Sequence, residues 1–147
     1  MFTHLLVPID GTELSDRAID TSLALAGKLQ ARVTGFVAEP EMDLPTAGRT
    51  PTDLKREADE HEARTAAHAR SVLDRFERRA REAGVAFQGH FSRAGHVVEA
   101  IAGAADELGC DMIVMVTHGR GTFGELLFGS HTKAVMARTK TPLLVLH

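Results

Sequence analysis

Residues 112–132 have the sequence MIVMVTHGRGTFGELLFGSHT, the most informative stretch of the chain. The apolar run from Met112 to Val116 is typical of a strand covered on both faces. A glycine-rich segment follows, and Gly129-Ser130 opens a short helical pattern. Glycine-rich backbone and the positive end of a helix both favour an anion. The stretch therefore predicts a strand, a phosphate-binding loop and the start of a helix.

The charges that follow agree with an anion site. No acidic residue occurs after Glu125, while Lys133, Arg138 and Lys140 add positive charge. Nothing in this part of the chain would repel a phosphate.

Length and composition limit the class of protein. A chain of 147 residues fits one domain, and the single cysteine, Cys110, leaves no partner for an internal disulfide. The first nine residues indicate a strand rather than a signal peptide, and no run approaches the roughly 18 apolar residues of a membrane span. We expect a cytoplasmic protein without a membrane partner. A net charge of −3 and the absence of Trp and Tyr argue against a nucleic-acid partner.

Strand and helix patterns alternate along the chain. Apolar runs predict five strands, at residues 5–9, 33–38, 85–91, 111–116 and 143–146. Helical patterns follow each of the first four strands, and Gly84 and Gly109 end the second and third helices. This order predicts an α/β fold with a single open parallel five-stranded sheet and helices on both faces. Residues 39–52, with three prolines, predict a surface loop or a lid.

Ligands of such sheets bind at the carboxyl ends of the strands, where the winding reverses. Pro8 ends the pairing of the first strand and releases Asp10-Gly11-Thr12 into a loop, where Thr12 can cap the first helix. If the first and fourth strands are neighbours, this loop faces the one that begins at Thr117. We expect a ligand in the crevice between them.

Two common phosphate motifs match by letter and fail on context. Gly119, Gly121 and Gly124 form G-x-G-x-x-G, but a Rossmann site needs an acidic residue about 20 positions later, and none follows Glu125. Residues 124–130 lack the lysine of a P-loop. A different motif fits: Gly119, nine residues, then Gly129-Ser130.

That spacing, the opening LLVPIDGT and the ending TPLLVL resemble the universal stress protein family, in its nucleotide-binding branch, over the whole chain. The resemblance implies a sheet of order 3-2-1-4-5, a homodimer, and ATP, with or without Mg²⁺, between the first and fourth strands. Asp10 and Val37 would meet adenine and ribose, and Gly119, Gly129 and Ser130 the phosphates. The implied site comprises Pro8, Ile9, Asp10, Val37, Met115, Val116, His118, Gly119, Arg120, Gly129, Ser130, His131 and Thr132.

Val116 stands where the family motif has its first glycine. Valine tolerates neither a positive φ nor a very close backbone approach to a ligand, so binding weakens if that position needs either property. If the residue merely continues the fourth strand, it is harmless.

Three functions stay open on the sequence. The first is a dimeric, ATP-binding regulatory module of the stress response. The second is a slow Mg²⁺-dependent ATP hydrolase that uses Arg120 and His118, and the third is a nucleotide-free dimerisation module. In the implied strand order Leu143–Leu146 forms an apolar edge, which predicts a homodimer through this strand. His61 and His68 lie seven residues apart without a third ligand, so no metal site is expected.

Overall fold

The computed structural model describes residues 1–117 and 130–146. Within these residues five strands alternate with four helices, as the sequence predicts. The elements in chain order are β1 His4–Pro8, α1 Glu13–Leu29, β2 Arg32–Pro40, α2 Pro51–Glu82, β3 Phe87–Ala94, α3 Val97–Glu107, β4 Met112–Val116, α4 Ser130–Arg138 and β5 Leu143–Leu146.

All strand pairs are parallel, and the sheet order is β3-β2-β1-β4-β5. The predicted fold class and strand order are therefore confirmed. β1 lies in the centre, where Leu5 pairs with Val33 on one side and with Met112 on the other. This position explains the unbroken apolar sequence of β1, because helices cover both faces of a central parallel strand.

Two apolar layers enclose the sheet. Alternate strand residues point to opposite faces, so α1 and α2 pack on one face and α3 and α4 on the other. Phe76 of α2 lies in the first layer and Phe36 of β2 in the second. A larger residue would not fit at Gly35, because a Cβ there would lie 2.7 Å from Phe76 and 2.9 Å from Phe87. β2 thus approaches α2 more closely than any larger residue would allow.

Element boundaries differ from the sequence prediction mainly around the proline-rich segment. β2 runs on to Pro40 because it stays paired with β3 as far as Ala94. α2 already begins at Pro51, with the Thr50 side chain accepting a hydrogen bond from the Asp53 N–H. The connection therefore spans residues 41–50 rather than 39–52. Among the described helices, none is long and apolar enough to cross a membrane.

Candidate functional site

A cavity of about 330 Å³ opens at the carboxyl ends of β1 and β4. From here the chain passes from β1 to α1 on one face, whereas α4 packs on the other, so the cavity lies where the winding reverses. The lining residues are Pro8, Ile9, Asp10, Thr12, Leu14, Ser15, Ala18, Phe36, Ala38, Val97, Ile101, Met115, Val116, Thr117, Ser130, His131 and Thr132.

The inner part of the cavity is apolar. Phe36 comes from the middle of β2, Met115 from the end of β4 and Ile101 from α3. Phe36 is almost fully buried, and the His90 ring stacks on it with centroids 5.8 Å apart. A flat apolar group fits this part better than a charged one, because a charge would lose its hydration without a partner.

Asp10 carries the charge at the cavity mouth. Its Oδ1 accepts hydrogen bonds from the Thr12 N–H at 3.0 Å, the Thr12 hydroxyl at 2.7 Å and the Ser15 hydroxyl at 2.9 Å. Partial burial raises the pKa of the Asp10 carboxyl, but these hydrogen bonds outweigh burial, and the pKa lies below its ordinary value. Its Oδ2 accepts from none of the described residues. Asp10 is therefore ionised at neutral pH, and within residues 1–117 and 130–146 one of its oxygens is held and the other has no donor.

Hydrogen bonds also hold the main chain of the same turn. The Asp10 and Gly11 N–H groups both donate to the Ser15 hydroxyl oxygen, at 3.0 Å each. The Asp10 carbonyl oxygen lies 3.1 Å from Nε2 of His68 on α2. Gly11 has a φ of 86°, and a Cβ there would lie 2.9 Å from Val72. A residue with a side chain would thus be strained at position 11 and would also displace the turn from α2.

Thr12 occupies the N-cap position of α1, as predicted, but its side chain makes no capping hydrogen bond. The hydroxyl donates to Asp10 Oδ1 at 2.7 Å instead. The predicted position of the cap is therefore right, but the predicted capping hydrogen bond of Thr12 is wrong. The Ser15 N–H is satisfied by the Thr12 carbonyl oxygen at 2.9 Å.

The first turn of α4 forms the opposite wall. Ser130 begins the helix, as predicted, and both Ser130 and His131 are exposed, whereas Thr132 is buried. The first N–H groups of a helix have no partner within the helix and carry its positive dipole end. Negative charge of a ligand is therefore favoured on this side, across from the Asp10 carboxylate.

Val116 continues β4. It pairs with Leu146 in the last register position of β4 and β5, and its φ is not positive. Its half-buried side chain lines the cavity and also packs against the α1/α2 layer. The first of the two conditions under which Val116 would harm the site, a positive φ, therefore does not arise.

The Val37 side chain points to the face of β2 opposite to that of Phe36 and Ala38. Its side chain is buried in the α1/α2 layer, while Phe36 and Ala38 on the opposite face of β2 line the cavity. A contact between Val37 and a ligand would therefore use main-chain atoms. The predicted residues that line the cavity are Pro8, Ile9, Asp10, Met115, Val116, Ser130, His131 and Thr132. His118, Gly119, Arg120 and Gly129 lie outside the described residues.

Several contributors were missed in the sequence. Ser15 lies three positions after the N-cap of α1, where its hydroxyl can reach back to the turn, and that spacing is a usable signal. Phe36 and Ala38 follow from strand alternation once one residue of β2 is placed. His68 carries no such signal, because 58 residues separate it from Asp10. Within residues 1–117 and 130–146 no three His, Cys, Asp or Glu side chains form a metal-binding group.

Comparisons with known proteins agree with this architecture. The model of the universal stress protein family matches residues 1–147. Universal stress protein YxiE of Bacillus subtilis (strain 168) is 26% identical over 147 residues, covering 99% of each chain. A crystal structure from the same family in Burkholderia pseudomallei is 27% identical, with a TM-score of 0.72 over 99% of this chain and 96% of that one.

Two further solved structures contain adenine nucleotides. One is a universal stress protein in complex with cAMP, 24% identical, with a TM-score of 0.69 over 99% of this chain and 97% of that one. The other is the universal stress protein from Archaeoglobus fulgidus in complex with dAMP, 16% identical, with a TM-score of 0.69 over 99% and 98%. At these identities the likeness to this chain is one of fold.

Proposed function

The chain belongs to the universal stress protein family, and we propose that it binds ATP in the cavity between β1 and β4 and acts as a dimeric regulatory module. One observation carries the proposal. The available Oδ2 of Asp10 and the amino end of α4 face one cavity whose inner part is apolar. A nucleotide has the matching parts: a flat base, a sugar with hydroxyl donors, and phosphates.

The parts of the ligand can be assigned by chemistry. Adenine takes the apolar inner part near Phe36 and Met115, and a ribose hydroxyl donates to Asp10 Oδ2. The phosphates lie at the amino end of α4, where Ser130 and Thr132 supply hydroxyls. Two structural neighbours were solved with cAMP and with dAMP, and this supports an adenine nucleotide as the ligand class.

We propose a ligand role rather than a substrate role for the nucleotide. A general base is most effective when its pKa lies near the working pH. The hydrogen bonds on Asp10 lower its pKa further, so its carboxylate is a weak base at neutral pH. Bound nucleotide then acts by stabilising one conformation of the protein, in proportion to its preference for that conformation.

The first test uses the composition of the chain. Because Trp and Tyr are absent, a co-purified adenine nucleotide would dominate the ultraviolet absorption of the protein, and chromatography of an acid extract identifies it. Calorimetric titration of nucleotide-free protein with ATP, with and without Mg²⁺, and with AMP and cAMP then compares affinities. If none of these ligands co-purifies or binds at millimolar concentration, the proposal is wrong.

The Asp10→Ala variant tests the assigned role of the carboxylate. We expect ATP affinity to fall by about tenfold or more, since a hydrogen bond to a charged group contributes about 1.5–3 kcal/mol. Asp106→Ala is the matched control, because Asp106 is an exposed carboxylate near the carboxyl end of α3, at the other end of the sheet. Equal affinities of the two variants would contradict the assignment.

The proposed dimer uses the outer edge of β5. Leu143–Leu146 is half-buried, and β4 is its one strand neighbour within the described sheet. An unpaired apolar edge pairs readily with a second copy around a two-fold axis. Leu144 and Leu146 also pack in the α1/α2 layer, so Val145 is the better position to probe.

We expect Val145→Lys to shift the mass in solution towards the monomer, because the lysine places a charge beside the pairing edge. Val145→Thr is the control, since threonine keeps the branched shape and the strand preference. Sedimentation at several protein concentrations measures the shift. A monomeric parent protein, or a Val145→Lys variant as dimeric as the parent, would contradict a dimer through β5.

A further inference from the structure

We infer that His68 of α2 is a positioning residue for the ligand-binding turn at Asp10, and its effect on affinity rests on the proposed function. The contact that carries this inference joins His68 Nε2 to the Asp10 carbonyl oxygen at 3.1 Å. A carbonyl oxygen only accepts hydrogen bonds, so Nε2 carries the proton and donates.

The other hydrogen bonds of the turn are local. Thr12 and Ser15 lie within five residues of Asp10, and their bonds fix the internal shape of the turn. The His68 contact spans 58 residues and joins the turn to a different element. Local bonds set the shape of the turn. The Ile9 N–H, which donates to the Phe36 carbonyl oxygen at 2.9 Å, holds its start to β2, and His68 holds the turn against α2.

Packing around Gly11 supports the same conclusion. A Cβ built on Gly11 would lie 3.1 Å from Cε1 of His68 and 2.9 Å from Cγ2 of Val72. The turn therefore rests directly on α2 at these two side chains. The apolar contact with Val72 does not depend on orientation, whereas the hydrogen bond from the imidazole does.

Glu39 of β2 lies beside the same imidazole. Its Oε1 lies 3.6 Å from His68 Nε2, and its side chain is mostly buried. Glu39 follows Ala38, a cavity residue at the end of β2. One imidazole of α2 therefore lies against both the turn after β1 and the end of β2, next to the cavity.

The expected consequence is preorganisation of the Asp10 carboxylate. Binding is strongest when a polar group already lies where the ligand needs it, and a small displacement weakens the hydrogen bond. Without His68 the turn keeps its internal bonds but loses its directed link to α2. Asp10 Oδ2 then samples positions that fit a sugar hydroxyl less well.

Three variants test this inference. His68→Ala removes the donor, and His68→Gln keeps a donor, since the glutamine amide nitrogen can take the place of Nε2. His61→Ala is the control on the same helix, because its Nε2 has no hydrogen-bond partner among the described residues. Calorimetry with ATP, and in parallel with cAMP, measures affinity, and thermal melting reports stability.

We expect His68→Ala to weaken nucleotide binding about three- to tenfold, the range of one hydrogen bond, while His68→Gln stays within about twofold of the parent. His61→Ala should bind as the parent does. Unchanged affinity in His68→Ala would overturn the inference. Equal losses in His68→Ala and His68→Gln would also overturn it, because the imidazole would then act through packing alone.

Amide hydrogen exchange of the ligand-free protein provides a readout that needs no nucleotide. We expect faster exchange at Gly11 and Thr12 in His68→Ala and not in His68→Gln or His61→Ala. If the parent protein binds no nucleotide, the proposed function fails and this pattern decides the inference by itself. Exchange that is equal in all four proteins would overturn the positioning role, whatever the parent binds.

Discussion

Two aspartates at opposite ends of the sheet show how the same side chain serves different purposes. Asp111, just before β4, uses both oxygens: Oδ2 accepts from the Thr3 N–H and hydroxyl at 2.8 Å each, and Oδ1 accepts from the His4 N–H at 3.0 Å. Asp10, just after β1, accepts from three donors at Oδ1, while Oδ2 accepts from no donor in the described part of the chain. The comparison indicates that Asp111 joins β1 to β4, whereas the hydrogen bonds of the Asp10 carboxylate stay within its own turn, which agrees with the ligand role proposed for its second oxygen.

The surroundings of the two aspartates differ in the same way. Near Asp111, the buried His4 ring lies 3.3 Å from the Gly109 carbonyl oxygen through Nδ1 and 2.7 Å from the Thr34 hydroxyl through Nε2. Burial, with the nearby Arg32 charge, lowers the pKa of His4. At this end of the sheet both ring nitrogens of His4 have partners, whereas at the cavity end Asp10 Oδ2 has no donor among the residues that the structure describes.

The largest expected effect comes from Asp111→Ala. The variant loses three hydrogen bonds that join the start of β1 to the start of β4, and we expect about 2 kcal/mol less stability in urea unfolding. Nucleotide affinity should not change. The proposed difference in role between the two aspartates would be contradicted if Asp111→Ala lost nucleotide affinity as Asp10→Ala is expected to. It would also be contradicted if Asp111→Ala were as stable as the parent.

A second effect concerns pH. Because the folded pKa of His4 lies below its ordinary 6.5, the unfolded chain binds this proton first as pH falls. Stability is therefore complete above pH 6.5 and declines below it until the folded pKa is reached, by at most about 1.4 kcal/mol per pH unit. Urea unfolding between pH 7 and about 5 measures the slope.

His4→Gln should flatten this slope, and the lost imidazole contacts should also lower stability at every pH. Asp10 and Asp111 act in a separate window. Their folded pKa values lie below the ordinary 3.8, so their contributions are present above pH 3.8 and are lost as pH falls through the folded values. A parent protein equally stable at both ends of the His4 window, or an unchanged slope in His4→Gln, would contradict this account.

The smallest effect should follow from Thr12→Val. This change removes one of the three donors to Asp10 Oδ1 while the main-chain donor remains, so stability should fall by less than about 1 kcal/mol. The pKa of Asp10 should rise towards its ordinary value, which carboxyl carbon NMR during an acid titration would detect. An unchanged Asp10 titration would mean that the hydroxyl does little to hold this carboxylate.

Much of the fold could be predicted because its signals are local. Apolar runs mark the strands, and Gly84 and Gly109, each with a positive φ, stand just past the ends of α2 and α3. It was harder to predict which face of the sheet each residue of β2 points to, because Val33, Phe36 and Val37 place apolar side chains on both faces. The sequence therefore could not decide whether Val37 or its neighbours Phe36 and Ala38 line the cavity.

The site was predictable in part for the same reason. Asp10 and Ser130 lie next to strand and helix ends that the sequence marks. The support of Asp10 by His68, and the buried group of His4, Thr34 and Cys110, depend on segments brought together from distant parts of the chain. No spacing within the sequence encodes such contacts.

The reactivity of the single cysteine reports local opening of the sheet. Cys110 Sγ is buried 3.6 Å from His4 Nε2, and burial raises the pKa of the thiol to about 11. A thiol reagent can attack only after this end of the sheet separates and the thiolate forms. Labelling of the unaltered protein by such a reagent therefore reports the frequency of that separation, and adding nucleotide would reveal whether occupancy of one end of the sheet slows opening at the other.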